Sequence, residues 1–218
     1  MYTKYFLMTL MMFFAIHAAS QNIPREKIMY FEEAVLLLDS TTNCLYRVNI
    51  GNDTLAAAFR IALNFFPELC HQKIRLQYGS IKTSMAAQPR IWSIFVNRSN
   101  RTYKIIINKN PEKEQTQLLY AAPFNAKVGI MGHELTHILD YSTKSGCKLT
   151  WTGVRYMGKK YRRELEKQTD SITIARGLGW QLYHFSYFLT QYPDINEEYR
   201  QYKLDTYMKP EEILERLK

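Results

Sequence analysis

Five residues in the middle of the chain, His133-Glu134-Leu135-Thr136-His137, restrict the fold more than any other stretch. They fall inside a helical apolar pattern running from Asn125 to Tyr141, where histidines at i and i+4 lie one turn apart on one face. Both imidazoles can then reach one ion at about 2 Å, the zinc–nitrogen distance, so this helix must border a cleft. Glu134 projects toward the same cleft off the ligand axis, where a carboxylate can take a proton from water without binding the metal. An ion held by two histidines needs a third protein ligand and keeps a fourth position for water. A second expected helix, Tyr161 to Leu178, offers Glu166, and Asp170 one turn on can hydrogen-bond the outer ring nitrogen of a ligand histidine, fixing its tautomer.

The pairing of HExxH with this downstream ExxxD resembles the gluzincin group of zinc metallopeptidases, which includes thermolysin and the membrane-associated CAAX-type proteases. The resemblance covers two short helices and a compatible order of elements before them. It implies a zincin-like fold, one zinc ion on His133, His137 and Glu166, Glu134 as general base, and Asp170 as the supporting carboxylate. It also implies a peptide substrate lying extended beside a sheet edge, within Arg90 to Asn108.

Everything outside these two helices is unmatched, and the chain departs from the pattern just before the ligand Glu. Leu165 stands where thermolysin has an Asn supporting its second histidine, which leaves the outer support of His137 open. The longer metzincin motif is absent, since it needs Gly and His where Asp140 and Thr143 stand. Asp140, one turn after His137, is a rival ligand, but a fourth helical ligand would close the water position, which favours a place outside the coordination sphere. Hydrolysis further needs a donor for the oxyanion. His184, Tyr183 and Tyr156 are candidates by type and rough position, and His184 is placed with Glu134 in the catalytic set, although a histidine flanked by aromatics also suits a core.

Ahead of the HExxH helix, Ile23 to Leu38 ends in an apolar stretch that fits strand or buried helix, and Asp53-Thr54 can cap a helix through Phe66. Three β-like runs follow, Lys73 to Tyr78, Arg90 to Val96 and Thr102 to Asn108. The last two flank a polar turn of hairpin length and predict an antiparallel pair. Pro111 and Pro123 bracket a polar connection, and after the ligand helices come helical patterns at Gln181 to Thr190, Ile195 to Lys203 and Pro210 to Leu217. This order predicts an α+β domain over residues 21–218, with a small, mostly antiparallel sheet before about residue 124 and helices after it.

Lys4, an apolar run from Tyr5 to Ile16 and the small residues Ala18 and Ser20 read as a secretory signal peptide cut after Ser20. The run falls short of the roughly 20 residues that span a bilayer, so an exported chain is expected over one anchored by an uncleaved segment. In an oxidising compartment any two of Cys44, Cys70 and Cys147 can pair. With 46% hydrophobic and 22% charged residues the chain is not disordered, and although its net charge is +9, no basic nucleic-acid motif accompanies that charge and no nucleic-acid partner is expected. Seven basic residues and no acidic one lie between Ser142 and Arg163, a segment read as a solvated loop that can also attract acidic substrates or an anionic surface. The expected protein is an exported zinc-dependent endopeptidase acting on a peptide or protein substrate; the alternative is an inactive binding or structural module on the same scaffold.

Overall fold

The computed structural model describes Lys27 and residues 29–31, 44–110 and 112–218. The expected signal peptide and most of the stretch from Ile23 to Leu38 lie outside the described residues. Strand β1 (Tyr46–Asn49) is followed by helix α1 (Asp53–Leu63), strands β2 (Lys73–Gly79) and β3 (Met85–Pro89), a 3-10 turn (Ile91–Phe95) and strand β4 (Thr102–Asn108). The C-terminal part is helical: α2 (Glu114–Ala121), α3 (Phe124–Thr143), α4 (Gly146–Tyr156), α5 (Lys159–Thr173), α6 (Gly179–Gln191), α7 (Glu197–Thr206) and α8 (Pro210–Glu215).

The α+β class is as expected, but the sheet is mixed and not mostly antiparallel. Its order is β1-β2-β4-β3, with β1 and β2 parallel, β2 and β4 parallel, and only β3 and β4 antiparallel. Helix α1 carries the chain over between β1 and β2 and so returns it in the same direction. The hairpin partner of β4 is Met85–Pro89, not Arg90 to Val96. Residues 91–95 form a 3-10 turn closed by Ser93, whose buried hydroxyl donates to the carbonyls of Arg90 and Thr102. Ile91, Trp92, Ile94, Phe95 and Val96 form an almost continuous apolar run without the alternation of a half-buried strand, and most of them face solvent.

Helix α1 starts one residue earlier than expected, with Asn52 as cap: its side-chain oxygen accepts from the Leu55 amide at 2.9 Å. Two helices stand where the sequence suggested connections. One is α2; the other is α4, where Ser145 caps the first turn and the basic "loop" becomes an amphipathic helix. Between α5 and α6 the chain makes a wide π turn, Ile174–Leu178, in which Gly177 has φ +92°, a conformation L side chains rarely adopt. A disulfide joins Cys44 to Cys70 and leaves Cys147 free and exposed.

The core lies between the sheet and α1 on one side and α3 on the other, with Phe59, Leu76, Tyr103, Ile105, Met131 and Leu135 fully buried. Helix α3 is the hub, packing against α1, β3, α5 and α6. Its approach to α6 is closest at Gly129, where a Cβ would stand 2.3 Å from the Gln181 carbonyl carbon and oxygen. No helix among the described residues is long and apolar enough to cross a membrane.

These contacts set opposite outcomes for two glycines. Gly129→Ala forces a backbone collision and is expected to lower stability by about 1–3 kcal/mol or more. Gly153→Ala, in exposed α4 with nothing within 4 Å of the new methyl, is expected to raise it by roughly 0.5–1 kcal/mol. Urea midpoints of the two variants check this, and equal shifts would contradict the α3–α6 packing.

Candidate metal centre

The middle of α3 presents His133 and His137 to the face covered by α5, and α5 presents Glu166 and Asp170 in return. The helices are latched one turn away by a 2.9 Å hydrogen bond between the hydroxyls of Thr136 and Thr173. Three atoms converge: Nε2 of His133 and Oε2 of Glu166 are 3.0 Å apart, Nε2 of His137 and the same oxygen 3.2 Å, and the two nitrogens 3.1 Å. Ligands on bonds of 2.0–2.1 Å at tetrahedral angles stand about 3.4 Å apart. The triangle therefore fits one small divalent cation after an adjustment of a few tenths of an ångström. His133, His137 and Glu166 are the group among the described residues that could hold a metal ion.

The surroundings fix each donor. Asp170 Oδ1 accepts from Nδ1 of His133 at 2.8 Å, while its Oδ2 accepts from the Met208 amide at 2.8 Å. With its proton held on Nδ1, His133 turns the Nε2 lone pair toward the site. Glu166 keeps Oε2 for the imidazoles because Oε1 accepts from the hydroxyl of Tyr156. Buried acceptors this close repel one another unless positive charge sits among them. Burial opposes protonation of His133, but the hydrogen bonds and charges of Asp170 and Glu166 outweigh it and push its pKa up to about 10. Burial likewise opposes ionisation of Glu166, yet His137 and His133 hold its carboxyl well below the usual range. Burial, then the charge of Glu166, raises the phenols of Tyr141, Tyr156 and Tyr207, so all three remain proton donors.

His137 lacks a comparable partner. Its Nδ1 is buried without a hydrogen bond among the described residues, and the apolar side chain of Leu165 has no group to supply one. The ring is oriented instead by stacking on Tyr141, with centroids 5.9 Å apart and planes at 17°. Asp140 stays outside the cluster and pairs with Lys144 at 2.5 Å.

Glu134 lies on the cleft side, where its Oε2 accepts from the amide of Ala87 at 2.5 Å. In β3 the even residues face β4: Ser84 accepts from Asn108 and Arg90 donates to Thr102. The odd residues therefore turn their backbone groups to the free edge, which β3 forms as the last strand of the sheet. The edge bordering the metal cleft is thus Met85–Pro89, outside the expected range Arg90 to Asn108. The cleft holds about 450 Å³ and runs between this edge and α4, with His133, Glu134 and His137 in its floor and Ile91, Leu149 and Tyr156 among its walls.

The structure does not bring His184 to this cleft. Its Nδ1 accepts from the side-chain amide of Asn125 at 3.2 Å, and burial lowers its pKa to about 4, so it stays neutral. Asn125 in turn accepts from the Met29 amide at 2.9 Å, so this pair ties down an N-terminal segment. Tyr183 packs against Trp180 in a separate apolar cluster. Of the three proposed oxyanion donors only Tyr156 lines the cleft. Tyr207, between α7 and α8, also lines it: its ring is 5.5 Å from that of His133, and Lys203 Nζ lies 4.2 Å from its centroid. Tyr141 could have been anticipated from its i+4 spacing to His137; Tyr207 carries no such local signal. Compared with protein families, curated proteins and solved structures, the chain matches none.

Loading the purified protein with zinc and titrating with a competing chelator is expected to give one tight site. Removal of a ligand in Glu166→Ala abolishes it, and Asp170→Ala weakens it about 10–100-fold, the usual cost of losing a partner that orients a ligand histidine. Unchanged affinity in Asp170→Ala would contradict the role given to the Asp170–His133 bond.

Proposed function

We propose that the chain is an exported zinc-dependent peptide hydrolase. The observation carrying this reading is the convergence of His133, His137 and Glu166 in the floor of a cleft that also contains Glu134 and a free strand edge. Two imidazoles and a carboxylate with room for a further ligand suit zinc among the common divalent ions. When bound, the ion supplies Lewis acidity toward a carbonyl oxygen and toward water.

The chain's own residues account for the rest. Glu134 is the carboxylate next to the ligands without being one of them, so it can take the proton of the attacking water and later deliver it to the leaving nitrogen. Its contact with Ala87 holds it in the cleft floor beside the β3 edge, where the scissile bond would lie. The outward-facing carbonyls of Ala87 and Pro89 in β3 offer an extended peptide acceptors two residues apart, while the Ala87 amide is held by Glu134 and Pro89 has none. Tyr207, held protonated, is the hydroxyl available to an oxyanion in place of His184, because the hydroxyl of Tyr156 is committed to Glu166. The Cys44–Cys70 disulfide supports an oxidising compartment and so the export reading.

Glu134→Gln is expected to bind zinc as the parent does and to lower peptide turnover roughly 10²–10⁴-fold, the range for removing a general base; Glu166→Ala loses both metal and turnover. Digestion of a mixed fluorogenic peptide library, with and without chelator, measures this. Turnover retained by the Gln variant would sink the assignment of the base. Metal retained by a parent chain that cuts nothing would favour the inactive binding module.

A further inference from the structure

The exposed apolar residues are not scattered. Trp92 (78% exposed), Phe95 (79%), Ile91 and Val96 belong to or adjoin the 3-10 turn Ile91–Phe95, while Trp151 (63%), Met157 (74%) and Val154 belong to or adjoin α4. The two elements touch: Gly146, at the start of α4, abuts the carbonyl of Ile94 so closely that a Cβ would stand 2.6 Å from it. Both also wall the metal cleft, the turn through Ile91 and Ile94 and the helix through Leu149, Thr152 and Gly153. Helix α4 therefore divides into two faces. Leu149 and Thr152 are buried toward the cleft, whereas Trp151, Val154, Lys148 and Arg155 point to solvent.

The two segments that form this rim carry charge of one sign. From Leu69 to Pro111 the chain contains no Asp or Glu, and none occurs from Tyr141 to Arg163; these stretches carry fifteen lysines and arginines. Exposed around the patch are Arg90, Arg98, Lys148, Lys159 and Lys160. Large apolar side chains in open water are disfavoured unless a partner removes them from it. Indoles together with a phenyl and a thioether, set within lysines and arginines, match the boundary between headgroups and acyl chains of an anionic bilayer, where aromatic rings settle and basic residues meet phosphate. A protein partner of ordinary hydrophobic character would not call for this one-sided charge.

We propose that the cleft rim formed by the turn Ile91–Phe95 and the outer face of α4 docks on an anionic lipid surface, inserting Trp92, Phe95, Trp151 and Met157 at the interface. Docking there sets the metal cleft, whose walls these two elements help to form, beside the membrane, so chain segments emerging from or lying on a bilayer are the ones it would meet. The docking itself does not depend on hydrolysis and stands or falls separately from it.

The chain's three tryptophans make the test local, because Trp92 and Trp151 lie in the patch and Trp180 lies elsewhere. The full-length protein is mixed with vesicles of brominated phosphatidylcholine, alone or with about one lipid in three replaced by phosphatidylglycerol, and indole quenching is followed with added salt. Quenching is expected with the anionic vesicles, at least about tenfold tighter than with neutral ones, and is expected to fade as salt rises. Trp92→Phe with Trp151→Phe, leaving only Trp180, should show none. Phe95→Ser, Val154→Ser and Met157→Ser together, with both patch indoles kept, should weaken the quenching about tenfold or more. Lys148→Glu, Lys159→Glu and Lys160→Glu together should remove the preference for anionic vesicles. These positions are exposed, so native thermal melting of the variants is expected and is checked in parallel. Absence of quenching, equal quenching by neutral and anionic vesicles, or binding of poly-glutamate without binding of vesicles would overturn the proposal, the last in favour of an acidic polypeptide.

Discussion

Two helices distant in sequence are held together by a cluster of buried acceptors that cannot coexist without shared positive charge. Nε2 of His133, Nε2 of His137 and Oε2 of Glu166 lie within 3.0–3.2 Å of one another at positions almost closed to solvent. Each is committed from behind: His133 by Asp170, Glu166 by Tyr156, and His137 by the face of Tyr141. The groups behind come from other elements. Tyr156 ends α4, and the second oxygen of Asp170 is held by the Met208 amide ahead of α8. A displacement of any of these segments would be felt at the triangle, which makes the helical half of the chain largely a scaffold for three atoms.

Helix α3 supplies the precision. Gly129 lets α6 approach to backbone contact, and Gly132 accommodates the Leu178 side chain at the end of the π turn, where a Cβ would stand 2.4 Å away. The axis of α3 is thereby fixed against α6, while the opposite side of the helix rests on the core of α1 and the sheet. Glu134 then meets the edge of β3 through a single hydrogen bond from Ala87. One helix thus connects His133 and His137 to the strand edge, so the distance between the triangle and the edge is set by helical geometry and not by a loop.

Much of the centre could be read from spacing alone, because i, i+4 pairs on helices are decided within one turn. The pairs His133 with His137 and Glu166 with Asp170 needed only that their segments be helical, and α3 runs from Phe124 to Thr143 against an expected Asn125 to Tyr141; that the two helices meet was implied by the resemblance and not by spacing. What spacing could not show depended on tertiary placement. Met85–Pro89 has small residues and no β-branched side chain, so its pairing with β4 comes from the sheet and not from its own propensity. The apolar run after it resembled a strand more strongly and became an exposed turn. Strand direction was misjudged because a helix crossover such as α1 reverses the inference drawn from one hairpin. His184 seemed suited to catalysis by its type, yet its aromatic neighbours signalled a core position against Asn125. Tyr207 was beyond reach, since only the turn between α7 and α8 brings it to His133, and the basic segment hid a helix whose second face is apolar.

The distribution of buried charge bears on how the triangle could hold a metal ion. Three carboxylates, Glu134, Glu166 and Asp170, are buried in or beside it, and one lysine, Lys203, is buried close enough for Glu166 and Glu134 to act on it. Burial opposes the charge of Lys203, but Tyr199 and then Glu166 outweigh that and raise its pKa, so it is a fixed cation lying over the Tyr207 ring. Against three negative charges this leaves an excess of two. A single proton on His133 neutralises one of them and fills the direction of one lone pair. A divalent ion neutralises both and satisfies all three converging donors at once, with both imidazoles neutral as ligation requires. Uncompensated charge in a buried setting is costly, so Lys203 and the three carboxylates suit a divalent cation, which would supply the two positive charges that protons on both histidines would otherwise have to provide.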